Sequence, residues 1–340
     1  MRIDLPSPAT LGLSRPTAAQ DLQDLGWDTD EALPLVWCIA SAGDPDLALN
    51  TMVRIYAALE DKEKKRLTQS LIDDEALRVR LIALLGGSTA LGDHLAANPH
   101  LWEKLALPLP EPTEMMQELL RVIKAQPARY LDLDAGEGAS TDPAQTDLST
   151  PGTYRAGMEE AEARPLLKST YRTLIMRLAA HDLAGSFYSR KGQTEGQPTV
   201  EFRTVTALTT ALADAALTAA LALAVRMVCG EEKLPMQLAV IAMGKCGAKE
   251  LNYISDVDVI FVAEPIEMGD DAGQKAMRKA TRVAAEFNRI GTSCFFEVDA
   301  NLRPEGKSGA LVRTLDSHIK YYTRWAETCK CQAQLKARPQ

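Results

Sequence analysis

The sequence predicts an α+β protein, helical as far as Pro235 and α/β beyond it. Three observations predict this. Aromatic residues make up only 5% of the chain while Ala and Leu are abundant, which favours packed helices over a large β-sandwich. Apolar residues recur at helical spacing through the first part of the chain. After Pro235 that period gives way to short, continuous apolar runs. At 340 residues with 46% apolar side chains, the chain is long enough for two ordinary domains and a sizeable core.

From Thr17 to Leu105 the pattern is mostly helical. Asp44-Pro45-Asp46 reads as a helix start, followed by Met52, Ile55, Tyr56 and Leu59 at i, i+3, i+4 and i+7. The run Lys62 to Arg66 reads as a solvated helix face. Leu84-Leu85-Gly86-Gly87 breaks a helix, and Ser88 is placed to cap the next, which carries His94. Residues 130–154 are acidic and poor in apolar side chains, the composition of a loop or linker. Helical spacing resumes with Leu167, Tyr171, Leu174, Ile175 and Leu178, and His181-Asp182 reads as a structural pair at that helix's end. After a polar stretch, Ser189 to Pro198, a long Ala-rich helix runs from Thr206 to Cys229. Asp214 and Arg226 interrupt that helix, so it is expected to be a packed helix rather than a membrane span.

Three strands are expected next. Leu238 to Met243 reads as a strand buried on both faces, Val257 to Val262 as a second and Cys294 to Asp299 as a third, with an amphipathic helix from Ala272 to Ile290 between the last two. The expected domains are therefore a helical region over 1–129, the linker over 130–154, a second helical region over 155–234 and the α/β domain over 235–340.

Charge and cysteine usage narrow the function. The 46 acidic against 38 basic side chains give −8, the wrong sign for binding nucleic acid through the whole surface. The six cysteines are scattered and Met1 to Pro16 lacks an apolar signal segment, so a cytoplasmic protein with free thiols is expected, with no membrane partner. Cys329-x-Cys331 is at most half of a zinc site, since no second Cys or His pair exists.

The chemistry gathers at the second strand. Asp256 and Asp258 are at i and i+2 where it begins, so their side chains share a face. Side-by-side carboxylates repel unless a cation neutralises them, and hard oxygen ligands suit Mg²⁺ or Mn²⁺. Asp299, at the end of the third strand, is placed to add a third carboxylate. Upstream, Gly244 in Met243-Gly244-Lys245-Cys246-Gly247 allows a turn that brings backbone N–H groups to a phosphate, with Lys245 adding positive charge. Carboxylates entering so apolar a run are costly without a cation, and this sets the combination apart from a lone Asp-x-Asp.

The segment Met243 to Val262, containing Gly244-Lys245-Cys246-Gly247 and Ser255-Asp256-Val257-Asp258, resembles the nucleotidyltransferase signature of the glutamine synthetase adenylyltransferase/deadenylyltransferase family. Asp299-Ala300-Asn301-Leu302-Arg303-Pro304-Glu305-Gly306 is similar to that family's second signature, and Tyr321-Tyr322 through Trp325 to Leu335-Lys336-Ala337-Arg338 to its third. Weaker similarity covers Gly92 to Trp102 and Tyr171 to Leu183. Cys246 departs from a usual Leu, and Cys329-Lys330-Cys331 from Trp-Glu followed by a bulky residue. The resemblance implies a nucleotidyltransferase-type α/β domain with a small mixed sheet, acting on a tyrosine of glutamine synthetase. Family members are much longer and carry two such units. A start at Met1 with one signature set implies the N-terminal, deadenylylating unit, truncated just past the third signature.

The implied reaction is phosphorolysis giving ADP, with ATP-dependent adenylylation, or a noncatalytic glutamine-synthetase-binding fragment, as alternatives. Asp256, Asp258 and Asp299 would hold Mg²⁺ or Mn²⁺, and Gly244, Lys245, Ser255 and Arg303 would contact phosphates. Glutamine synthetase, ADP or ATP, phosphate and a nitrogen-signalling regulatory protein are the implied partners.

Overall fold

The computed structural model describes residues 6–131, 148, 152–190, 200–267, 269–325 and 334–339. Its contacts divide the chain into two compact units, Met1–Pro110 with Arg172–Val205, and Glu111–Tyr171 with Thr206–Gln340.

The first unit is helical, with α1 (Ala18–Asp24), α2 (Leu33–Ala40), α3 (Pro45–Ala57), α4 (Asp61–Asp73), α5 (Glu75–Gly87) and α6 (Thr89–Ala97). Three of the later starts, those of α3, α5 and α6, are chemically marked. Asp44 accepts from the Leu47 N–H at 2.9 Å, Asp74 from Leu77 at 3.0 Å, and Ser88 from Leu91 at 3.3 Å, so side chains satisfy N–H groups that the first helical turn leaves open. Met52, Ile55, Tyr56 and Leu59 are buried, the face that the spacing predicts. Much of the Lys62 to Arg66 run is exposed, and Arg66 pairs with Glu103 at 2.6 Å.

The second unit contains α7 (Pro112–Val122), a two-stranded sheet of β1 (Gln126–Pro127) and β2 (Tyr154–Arg155), and parts of the long helices α8 (Glu160–Arg190) and α9 (Phe202–Cys229). The unit boundaries fall inside α8 and α9. The sequence-order division at 129, 154 and 234 differs from this one, because Met176, Ala179, Ala180 and Ala184 of α8 belong to the first unit's core. His181 corrects an expectation. It lies within α8 rather than at its end, and its Nε2 is 3.1 Å from the Leu107 carbonyl, a structural contact. Of the acidic segment 130–154, residues 132–147 and 149–151 lie outside the described residues, as do 191–199 of the second polar stretch and Cys329-Lys330-Cys331. By length and composition α9 could cross a membrane, but 72% of its apolar window is buried in the protein.

The remaining elements form the α/β part: β3 (Met236–Ala242), α10 (Gly244–Gly247), β4 (Val257–Pro265), α11 (Asp270–Cys294), β5 (Val298–Asp299), β6 (Val312–Arg313), α12 (Leu315–Arg324) and β7 (Arg338–Pro339). The sheet runs β5-β4-β3-β7, with β6 also paired to β4. β3 is antiparallel to β4 and β7, while β5 and β6 are parallel to β4, so the sheet is small and mixed. α11 makes the crossover from β4 to its parallel neighbour β5, and Phe287 packs edge-on to Phe261 at 5.4 Å between centroids.

Two strand expectations are corrected. β3 is not buried on both faces: Val240 and Ala242 are buried, whereas Gln237 and Ala239 are exposed. The third strand is only Val298–Asp299, because α11 continues to Cys294, where Thr292 Oγ1 accepts from the Val298 N–H at 3.1 Å. Phe295 and Phe296 pack against the Tyr171 ring instead, at 5.1 and 6.0 Å.

Candidate functional site

The site forms where β3 ends beside the start of β4. The Met243 N–H donates to the Asp258 carbonyl at 2.9 Å, extending the pairing one residue past β3. The chain then turns at Gly244, whose φ of +54° is in the left-handed region; a Cβ there would lie 2.8 Å from Asp258 Oδ2. Glycine is therefore favoured twice, by conformation and by the approach of backbone to carboxylate.

Asp258 and Asp299 are register partners on the parallel pair β4 and β5. Adjacent partners in a parallel pair point to one face of the sheet. Asp256 immediately precedes β4 and is exposed, and Asp258 is half-buried. Burial pushes the Asp258 carboxyl up from its ordinary value, the charges of Asp256 and Asp299 push it further, and Lys245 opposes them. Three carboxylates and one lysine are thus within electrostatic reach of one point. Among the described residues no three ligand-type side chains are already closed into an ion cage. The all-oxygen donor set has the chemistry that suits Mg²⁺ or Mn²⁺.

The other predicted site residues separate into two groups. Gly244 and exposed Lys245 adjoin the acids. The Ser255 hydroxyl donates to the Asp256 carbonyl at 3.0 Å, so it shapes the turn that delivers Asp256. Asp299 Oδ1 accepts from the Asn301 N–H at 2.7 Å, which fixes its carboxylate. Arg303 has structural partners besides the phosphate contact expected of it. Its guanidinium donates to the carbonyls of Ala300 (2.7 Å), Gly309 (3.1 Å) and Lys307 (3.2 Å), clamping the loop after β5.

Sequence reasoning missed the support beneath the turn. Arg338 pairs with Asp214 of α9 at 2.9 Å and reaches the Cys246 carbonyl at 3.3 Å. Lys336 pairs with Glu250 at 2.8 Å, and its carbonyl crosses so close to Gly247 that a Cβ there would lie 1.9 Å from it. Asp214, the single acid in an Ala-rich helix, was the available signal. Cys246, the departure from Leu, is buried with its Sγ 3.9 Å from Asp214 Oδ1.

A mixed sheet with a glycine turn after one strand, and acids on the next strand and its parallel neighbour, defines a nucleotidyltransferase-type domain. The chain belongs to the glutamate-ammonia ligase adenylyltransferase family, whose model matches residues 155–339. It is 54% identical over 345 residues to a bifunctional glutamine synthetase adenylyltransferase/adenylyl-removing enzyme of Corynebacterium efficiens, with 100% of this chain and 32% of the relative covered. Proteins of the same description from Nocardia farcinica (99% and 30% covered) and Mycobacterium bovis (99% and 30% covered) are 49% and 42% identical. The chain thus spans about a third of the length of the curated relatives it matches.

Proposed function

We propose that this chain removes AMP from an adenylylated tyrosine of glutamine synthetase by phosphorolysis. A phosphate oxygen attacks the adenylyl phosphorus, the phosphorus–tyrosyl oxygen bond breaks, and the tyrosyl oxygen takes up a proton, giving ADP and the unmodified tyrosine. The observation that carries the reading is Asp258 set beside the Gly244 turn with Asp299 as its register partner and the charges of Asp256 and Asp299 acting on it. These three residues would hold Mg²⁺ or Mn²⁺, which when bound neutralises phosphoryl charge and stabilises the leaving oxygen. Gly244 keeps the backbone against Asp258, Ser255 sets the turn before Asp256, and Lys245 supplies positive charge for the anionic substrates. A cytoplasmic setting and a nitrogen-signalling regulatory partner belong to the same proposal.

The histidines leave this direction open to the site. His94, His181 and His318 contact Thr173, Leu107 and Phe261, and His100 pairs with Glu63, so each has a role away from the acids. Phosphate is already anionic and needs no strong general base, whereas an attacking tyrosine must lose a proton. The relatives' description pairs both activities on chains about three times as long, which keeps ATP-dependent adenylylation as the second reading.

The test incubates the chain with adenylylated glutamine synthetase, Mg²⁺ and phosphate, then with unmodified enzyme, Mg²⁺ and ATP. Phosphate-dependent ADP supports the proposal. Pyrophosphate alone would favour the second reading, and silence in both assays a noncatalytic binding fragment.

A further inference from the structure

One face of the sheet continues past the acids into a cavity that the proposed chemistry does not use. Alternation along β4 puts Asp258, Ile260 and Val262 on one face, and Phe261, covered by Phe287, on the other. The antiparallel register brings Ile241 beside Ile260 and Ala239 beside Val262 on the Asp258 face. Helix α12 borders this face, with His318 Nε2 3.4 Å from the Phe261 carbonyl. Between them is a cavity of about 420 Å³ lined by Ile241, Ile260, Val262, Ile319, Tyr322 and Gln334, among others. The His318 and Tyr322 rings stack at 6.4 Å with 10° between their planes, and Gln334 Nε2 donates to the Tyr322 hydroxyl at 2.7 Å. Leu315 and Ile319 on the same helix are more than half exposed, so apolar surface stands open at the cavity.

Its size and lining, apolar with a few polar groups, are those of a small-molecule site. Its place is equally specific. At a strand rise of about 3.3 Å per residue, Ile260 is roughly 7 Å and Val262 roughly 13 Å along the strand from Asp258. In a nucleotide the base is one sugar away from its first phosphate, a span of the same order.

We propose that this cavity seats the purine ring of the adenylyl group whose phosphorus lies at the three acids, an inference that rests on the nucleotide reading above. Ile241, Ile260 and Val262 form an apolar floor for the ring, and Tyr322, held by His318 and Gln334, gives it an aromatic neighbour. The Gln334 amide oxygen can accept from a ring amino group. The cavity sets preference for the base, while the acids bind only the phosphates.

The experiment measures binding of ADP and of tripolyphosphate, which lacks a base, to the 340-residue chain in Mg²⁺ by calorimetry, with melting temperatures recorded. Tyr322→Ala removes the aromatic neighbour. Thr323→Trp, at an exposed cavity-lining position, fills the space and keeps the test decisive if Tyr322→Ala loosens α12. The expected result is ADP binding at least tenfold weaker in both variants, with tripolyphosphate binding unchanged. Unchanged ADP binding in Thr323→Trp would overturn the base site, as would equal loss of both ligands. If neither ligand binds, the nucleotide reading itself falls and takes the base site with it.

Discussion

The two units differ in how they place acidic side chains. In the first, the core from Leu11 to Ala184 is apolar, and it includes such contacts as Thr51 donating to the Leu47 carbonyl, His94 meeting Thr173, and Arg177 donating to the Pro108 carbonyl. In the second, Asp258 is half-buried against two carboxylates of its own sign, beside a turn whose left-handed backbone favours glycine. Like charges drawn together oppose folding, so the rest of that unit must hold them there. A ligand of opposite charge relieves that conflict. Neutralising one of the acids should therefore remove turnover without stability in the second unit, whereas a core truncation in the first should remove stability without altering metal dependence.

The largest effect should come from Asp258→Asn or Asp256→Asn. Each is expected to lower phosphate-dependent ADP formation by about a thousandfold or more, because charge neutralisation in the transition state is lost. Melting temperature should hold or rise, since repulsion is relieved. A variant with full activity would break the assignment.

Gly247→Ala comes next. Its Cβ would meet the Lys336 carbonyl at 1.9 Å, and backbone cannot step aside as a side chain can. A loss of about 2–3 kcal/mol is expected in chemical denaturation, with activity falling as the segment that carries Arg338 shifts. The control in the first unit is Leu49→Ala in α3, a fully buried position, which should cost about 2–5 kcal/mol. Its Mg²⁺ concentration dependence should match wild type, and a changed metal requirement would blur the contrast between the units.

Much of this contrast was legible in the sequence, for a physical reason. Apolar runs have to alternate with the period of their element, and a glycine turn feeding Asp-x-Asp has few uses, so β3, β4, Gly244, Asp256 and Asp258 could be read locally. The caps at Asp44 and Ser88 were equally local. What escaped depends on distance along the chain. Asp214 and Arg338 are 124 residues apart, and no spacing rule joins them. Arg303 looked like a free cation because the carbonyls it clamps are invisible until the loop after β5 closes. The return of α8 to the first unit depends on which core its apolar face finds, and periodicity leaves that open.

The smallest predicted effect tests whether the first unit's polar groups are as settled as they look. Burial, with Arg172 nearby, holds the His94 imidazole below its ordinary value of 6.5. Its Nε2 is 3.3 Å from the Thr173 hydroxyl. With the folded-state pKa depressed, the unfolded chain binds the proton first as pH falls. The stability tied to neutral His94 is then complete above about pH 6.5 and drains away as pH drops through the folded-state value. His181 and His318 are shifted the same way by burial, so wild type should weaken on the same side of neutrality through all three. His94→Gln removes one of them. Its unfolding free energy, measured by denaturant from pH 7.5 to 5, should start lower than wild type and fall less steeply, by at most one proton's worth of slope, so that the two curves converge toward acid. Parallel curves would mean that His94 is not held neutral, and the first unit would then carry a charge conflict of its own.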